Sequence, residues 1–134
     1  MDLDQRNIAL MIARGRAING LTLIIVPGIV ARTLFGASGK SPFVRGLLRM
    51  VGVRDLVLGV GAITTLKEHT QDAEWVGMGA IADAVDGLVM LITPGLGYRS
   101  RLGAFVGGSA ALAGYQASRA LADERLALDS EIDS

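Results

Sequence analysis

The chain has 134 residues, 51% of them hydrophobic, a mean hydropathy of +0.46, and 13 basic residues balanced by 13 acidic ones. That is more apolar than the usual water-soluble composition and points toward a membrane. Zero net charge without a basic stripe excludes the electrostatic footprint of a nucleic-acid binder, and the absence of cysteine excludes disulfides, thiolate metal sites and cysteine nucleophiles.

The chain opens Met1-Asp2-Leu3-Asp4, acidic where a secretory signal would be basic, so no signal peptide is expected. Four apolar segments follow, at about 8–31, 43–66, 75–96 and 102–120. Each is long enough, at about 1.5 Å per residue, to cross a hydrocarbon core of about 30 Å. The expected fold is therefore all-α: a polytopic membrane protein with four transmembrane helices, of the cell membrane, and an acidic, solvent-exposed tail at 123–134. A soluble four-helix bundle is the competing reading. Against it stand 18 glycines, many inside the helical segments. Each costs about 1 kcal/mol in a soluble helix, but small residues let membrane helices approach closely.

Gly52 and Gly59 form a small-residue stripe on the second helix, and Gly103, Gly107 and Gly114 on the fourth; all five are expected to pack helices together. Trp75 and Tyr98 fall at segment ends, where an interfacial aromatic belt would place them. A shift of 67 residues sets Met11–Gly28 on Met78–Gly95, with Met, Ala, Gly, Leu, Ile and the Pro-Gly ending in common. A shorter loop then sets Val51-Gly52 and Gly59 on Val106-Gly107 and Gly114. The expectation is two helical hairpins in pseudo-repeat. Arg32, Lys40, Arg45, Arg99 and Arg101 gather at one end of such a bundle and Arg6, Lys67, Arg119 and Arg125 at the other, so the positive-inside rule favours both termini outside.

Two features resemble chemical sites without being so. Gly36-Ala-Ser-Gly-Lys-Ser41 looks like a phosphate-binding loop, but the position for its first glycine holds Leu34 and Pro42 follows directly, so a tight hairpin is expected. His69, the one histidine, reads as a solvated loop residue, since a single histidine makes no metal site and pairs with no serine elbow. No metal, cofactor or catalytic residue is expected.

The informative stretch is Gly52-Val-Arg-Asp-Leu-Val-Leu-Gly59, which puts opposite charges in an apolar helix. Counting along the helices puts Arg54, Asp83 and Asn19 at one level, with Asp86 and Arg16 one turn away. Ionised groups at that depth face inward and pair. The expected intramembrane network is Arg16, Asn19, Arg54, Asp55, Asp83 and Asp86; Arg14 and Arg49 are also embedded, and Arg49 can snorkel. It serves either as a register-fixing lattice or as a path for a proton, ion or small anion.

Pro27-Gly-Ile-Val-Ala-Arg-Thr-Leu-Phe-Gly36 resembles a P-x-x-x-A-R-x-x-F-G pattern, and residues 52–59 a G-x-R-D-x-x-x-G pattern. Together they are similar to an uncharacterised family of small bacterial and fungal four-helix membrane proteins, a domain of unknown function. The resemblance covers about residues 20 to 95 and implies the four-span topology, but no activity. The expected role is an accessory or scaffold subunit packing in the bilayer against other membrane proteins or itself. A small dimeric transporter or channel is the alternative, and a lipid- or quinone-binding protein the third reading.

Overall fold

A computed structural model describes residues 3–68 and 71–132; His69 lies outside them. The described residues form five α-helices and one 3-10 turn, with no strand among them: α1 (Leu3–Ile25), α2 (Pro27–Phe35), a 3-10 helix (Gly36–Lys40), α3 (Pro42–Glu68), α4 (Asp72–Ile92) and α5 (Tyr98–Ile132). The long helices run up, down, up, down. α1 packs on α3 and α4 on α5, with lighter contacts of α3 to α4 and α1 to α5 joining the two pairs.

The expected first helix, 8–31, is broken. Proline cannot donate the helical hydrogen bond and starts helices well, so α1 ends at Ile25 and α2 starts at Pro27. The motif residues there share one packing job. Ala31 is fully buried with Leu23 and Leu48, and Phe35 packs against them. A Cβ on Gly39 would lie 2.1 Å from the Ala31 carbonyl oxygen, so the 3-10 turn seats its backbone directly on α2. Gly36 has φ +57°, a left-handed conformation that glycine takes without strain. The segment Gly36–Lys40 is thus a tight cap folded back on α2.

The inner faces are built of small residues. α3 buries Leu48, Gly52, Asp55, Gly59, Ala62 and Leu66, a helical repeat of three and four residues. Ala9, Ala13, Ala104, Ala111 and Ala117 are buried on α1 and α5, and Leu66 is the one large side chain fully buried among the described residues. The large apolar side chains point outward instead: Met11, Ile18, Ile25, Met50, Ile81, Leu88, Phe105, Val106 and Leu112 are all exposed. This is the reverse of a water-soluble bundle, whose large aliphatics fill the core. Trp75 departs from the expected belt: it packs, half-buried, against the core cluster and fills the notch that Gly61 leaves on α3. Tyr98 is exposed at the start of α5.

Two helices, at Arg6–Ile25 and Asp72–Ile92, are long and apolar enough to cross a membrane. Only 22% of each is buried within the chain, whereas a soluble core helix would be mostly covered. The expected second and fourth spans do not meet the same standard. α3 carries Arg45, Arg49, Arg54 and Asp55, and the charge-free part of α5 is diluted by glycine, serine and glutamine. α5 is also longer than expected, running 35 residues or about 52 Å. Its helix continues through the acidic segment to Ile132, and Glu124 and Arg125 reach back to Arg6 (3.6 Å) and Glu74 (3.3 Å). Leu126 to Ile132 are exposed, as is Asp123, while Glu124 and Arg125 are half-buried.

Candidate functional site

Glycine creates the space in which the charged residues meet. A Cβ on Gly59 would lie 2.6 Å from the Ala17 nitrogen, and one on Gly52 would lie 2.7 Å from the Gly20 carbonyl oxygen. The α1 and α3 backbones are therefore in near contact above and below Asp55, which sits one turn from each glycine on the same face. α4 and α5 meet in a similar way. Gly20 backs onto the Gly52 oxygen and Leu56 nitrogen, and Gly87, its counterpart after the 67-residue shift, backs onto the Ala104 oxygen and Gly108 nitrogen. The contacts set Gly52 opposite Ala104, three residues out of step with the sequence alignment that set it on Gly107. Helix packing follows backbone approach, which a run of interchangeable glycines and alanines does not fix.

All six residues expected in the network come together. Arg16 on α1 donates to Asp55 Oδ1 (3.3 Å), to the Gly79 carbonyl (2.8 Å) and to Asp83 Oδ2. Asn19 donates to the second Asp55 oxygen at 3.1 Å. Arg54 forks onto both oxygens of Asp86, with Nη1 to Oδ1 at 2.9 Å, and Nη2 also donates to Asp55 at 3.1 Å. The result is an alternating chain, Asp83–Arg16–Asp55–Arg54–Asp86, drawn from three helices. Arg16 and Asp55 are buried, with side chains 7% and 8% exposed; Arg54 and Asp86 are each 35% exposed, so the chain opens in the cleft between α3 and α4.

Charge-assisted bidentate pairs are strong and directional, so this chain locks α1, α3 and α4 in register. It is not neutral. Asp55, Asp83 and Asp86 outnumber Arg16 and Arg54 by one, so the chain carries one formal negative charge in excess when all five are ionised. Beside Arg16 lies a void of about 10 Å³ lined by Ala13, Gly79, Ala80 and Gly114, room for about one water. No group of three metal-ligating side chains occurs among the described residues.

Three of the α5 glycines turn inward and the fourth, Gly108, does not. Gly103 faces the Met90 sulfur (3.7 Å), Gly107 the Asp83 carbonyl (3.6 Å) and Gly114 the Ala80 Cβ (3.2 Å), so this stripe is used within the chain, against α4. Arg14 is exposed on the outer face of α1, and Arg49 is exposed with its Nε donating to the Ile24 carbonyl at 3.3 Å.

A second cluster at the opposite end was not expected. Arg6 donates to the Leu66 carbonyl (2.7 Å) and to Asp72 (3.0 Å), a carboxylate 6% exposed that also accepts from the Ala73 amide. The signal for it was in the repeat: shifting Arg6 by 67 residues lands beside Asp72, as shifting Arg16 lands on its partner Asp83. Scanned against family models, curated proteins and solved structures, the chain matches none of them.

Proposed function

We propose that the chain is a four-span protein of the cell membrane that works by packing against other membrane helices, as an accessory subunit or a homo-oligomer. The exposed outer surface carries this reading. Large aliphatic side chains cover the outside of all four long helices, and Gly15, Gly46 and Gly108 lie among them with nothing within 4 Å of the position a Cβ would take. Such glycines are smooth places where a neighbouring helix can come close. Gly103, Gly107 and Gly114, which face α4 within the chain, are not available for such contacts. α3 and α5 would complete the span set, with the charges of α3 held inside by pairing. The charge chain then serves as the internal register lock that keeps the outer faces aligned.

Native mass after gentle extraction, with co-purifying chains identified, tests this reading. Stoichiometric companions or a defined homo-oligomer are expected; a lone monomer would overturn it. Substituting Gly108 or Gly15 with leucine should weaken assembly while the chain remains helical.

The extra carboxylate favours a second reading, a small transporter in which Asp83 or Asp86 exchanges a proton. Asp83→Asn should then abolish proton-coupled flux in vesicles with the fold intact. Loss of folding without any flux in the parent protein would leave the carboxylate a structural role.

A further inference from the structure

We propose that the seam between α2 and the start of α3 binds a phosphate-bearing anion, through Arg32, Lys40, Arg45 and Arg49. The register along this seam is continuous. Arg49 donates to the Ile24 carbonyl, and one turn later the Arg45 guanidinium lies 3.7 Å from where a Gly28 Cβ would be. One turn further along α2 is Arg32, onto whose backbone nitrogen Gly39 folds, at 2.7 Å from its would-be Cβ, bringing the adjacent Lys40 to the same place. Arg45 Nη2 donates to the Lys40 carbonyl at 3.2 Å. Arg45 and Arg49 are thus one turn of about 5.4 Å apart on α3, Arg32 is one turn beyond Gly28 on α2, and the Lys40 backbone is tied to Arg45 beside them.

No carboxylate among the described residues pairs with them. Residues 26–54 contain no aspartate or glutamate, and neither do residues 87–122, so the whole end of the bundle that carries α2, the 3-10 turn and the start of α5 lacks acids. Arg45 Nε is shut off from solvent with no acceptor, a buried donor that is costly to leave unmet. The opposite end holds the acidic complement, with Glu68, Asp72, Glu74, Asp123, Glu124, Asp129 and Glu131, so the acid-free end is a segregation and not a shortage. Guanidinium groups match phosphate oxygens two bonds at a time, and adjacent cations at a membrane boundary favour anionic headgroups. This inference rests on the membrane-embedded reading for its lipid source, but not on the subunit role.

The test uses the full chain purified in a neutral detergent and retention measured by native mass spectrometry. The probes are dioleoylphosphatidylglycerol, dioleoylphosphatidylcholine and inorganic phosphate. The anionic lipid should be retained at least about tenfold over the zwitterionic one. Each cation near an anionic surface is worth about fivefold, so the double variant Arg32→Gln/Arg45→Gln should lose at least about twenty-five-fold, while the equally charged control Arg99→Gln/Arg101→Gln, outside the seam, should lose about fivefold or less. Arg45→Lys keeps the charge without the fork and should fall between; helical circular dichroism confirms that each variant is folded. Competition by millimolar inorganic phosphate identifies a free phosphate as the ligand, and resistance to it identifies a lipid headgroup. Equal retention of both lipids with no phosphate binding, or equal losses in the seam and Arg99/Arg101 variants, would overturn the proposal. A chain that stays soluble without detergent would sink the membrane reading alone, and phosphate titration would still decide the site.

Discussion

Arg16 is the residue on which the interior turns. It is buried and meets two carboxylates and a carbonyl from α3 and α4. Removing one partner of a buried ion pair strands the others at a cost of about 3–5 kcal/mol. Arg16→Met should therefore lower stability by about that much in detergent unfolding followed by circular dichroism. Arg54→Met should cost less, because its head group and Asp86 are partly exposed. Equal losses would mean that the charge chain acts as one unit. Arg16→Lys should rescue only part of the loss, since an ammonium cannot fork between Asp55 and Asp83. The sequence brought Arg16, Asn19, Arg54, Asp55, Asp83 and Asp86 to one level, because level follows from counting residues along a helix; Arg14 and Arg49, counted with them as embedded, are exposed. It did not show that Asp55 would be the central link, with Arg16, Arg54 and Asn19 all on it; that needs the angular setting of α1 against α3.

Among the elements, glycine separates two kinds of position that look alike in the sequence. Gly20 lies against α3 backbone, its would-be Cβ 2.5 Å from the Leu56 nitrogen, whereas Gly15, five residues earlier on the same helix, faces open space. Gly20→Ala should push α1 and α3 apart and cost about 1–3 kcal/mol. Gly15→Ala should leave the monomer as stable or stabilise it by up to about 1 kcal/mol. Thermal melting of the two variants checks the contrast, and similar melting temperatures would mean that the α1–α3 contact is loose. The α5 stripe teaches the same lesson: GxxxG spacing was legible, but the side it faces was not, because a helix of small residues has no strong apolar face to orient it.

At the level of the whole molecule, charge is sorted by end. The acid-free end bears Arg32, Lys40, Arg45, Arg49, Arg99 and Arg101, and the start of α1 and the last turns of α5 meet at the other end, where Arg6 reaches Glu124. If the chain spans the membrane as proposed, the positive-inside rule directs the start of α1 and the end of α5 away from the cytoplasm. Since the chain has no cysteine, single substitutions give clean reporters. Ser130→Cys should react with a membrane-impermeant thiol reagent on intact cells, and Ser38→Cys only after permeabilisation. The reverse pattern would invert the topology, and reaction of both on intact cells would refute a spanning arrangement.

The sequence by itself determined the helical class, the places where charge interrupts apolar helix, and the sorting of charge between the two ends, because composition, periodicity and linear distance suffice for these. The break at Pro27 is local proline chemistry, open to sequence reasoning although the expected first helix ran through it. Tertiary structure alone decided the three-residue change in the α4–α5 register and the inward turn of Gly103, Gly107 and Gly114. It also decided the order of the charge chain from Asp83 to Asp86. Each depends on how closely two backbones approach and at what rotation. Among alanines and glycines that choice is set by the partner helix, not by the side chains of the helix itself.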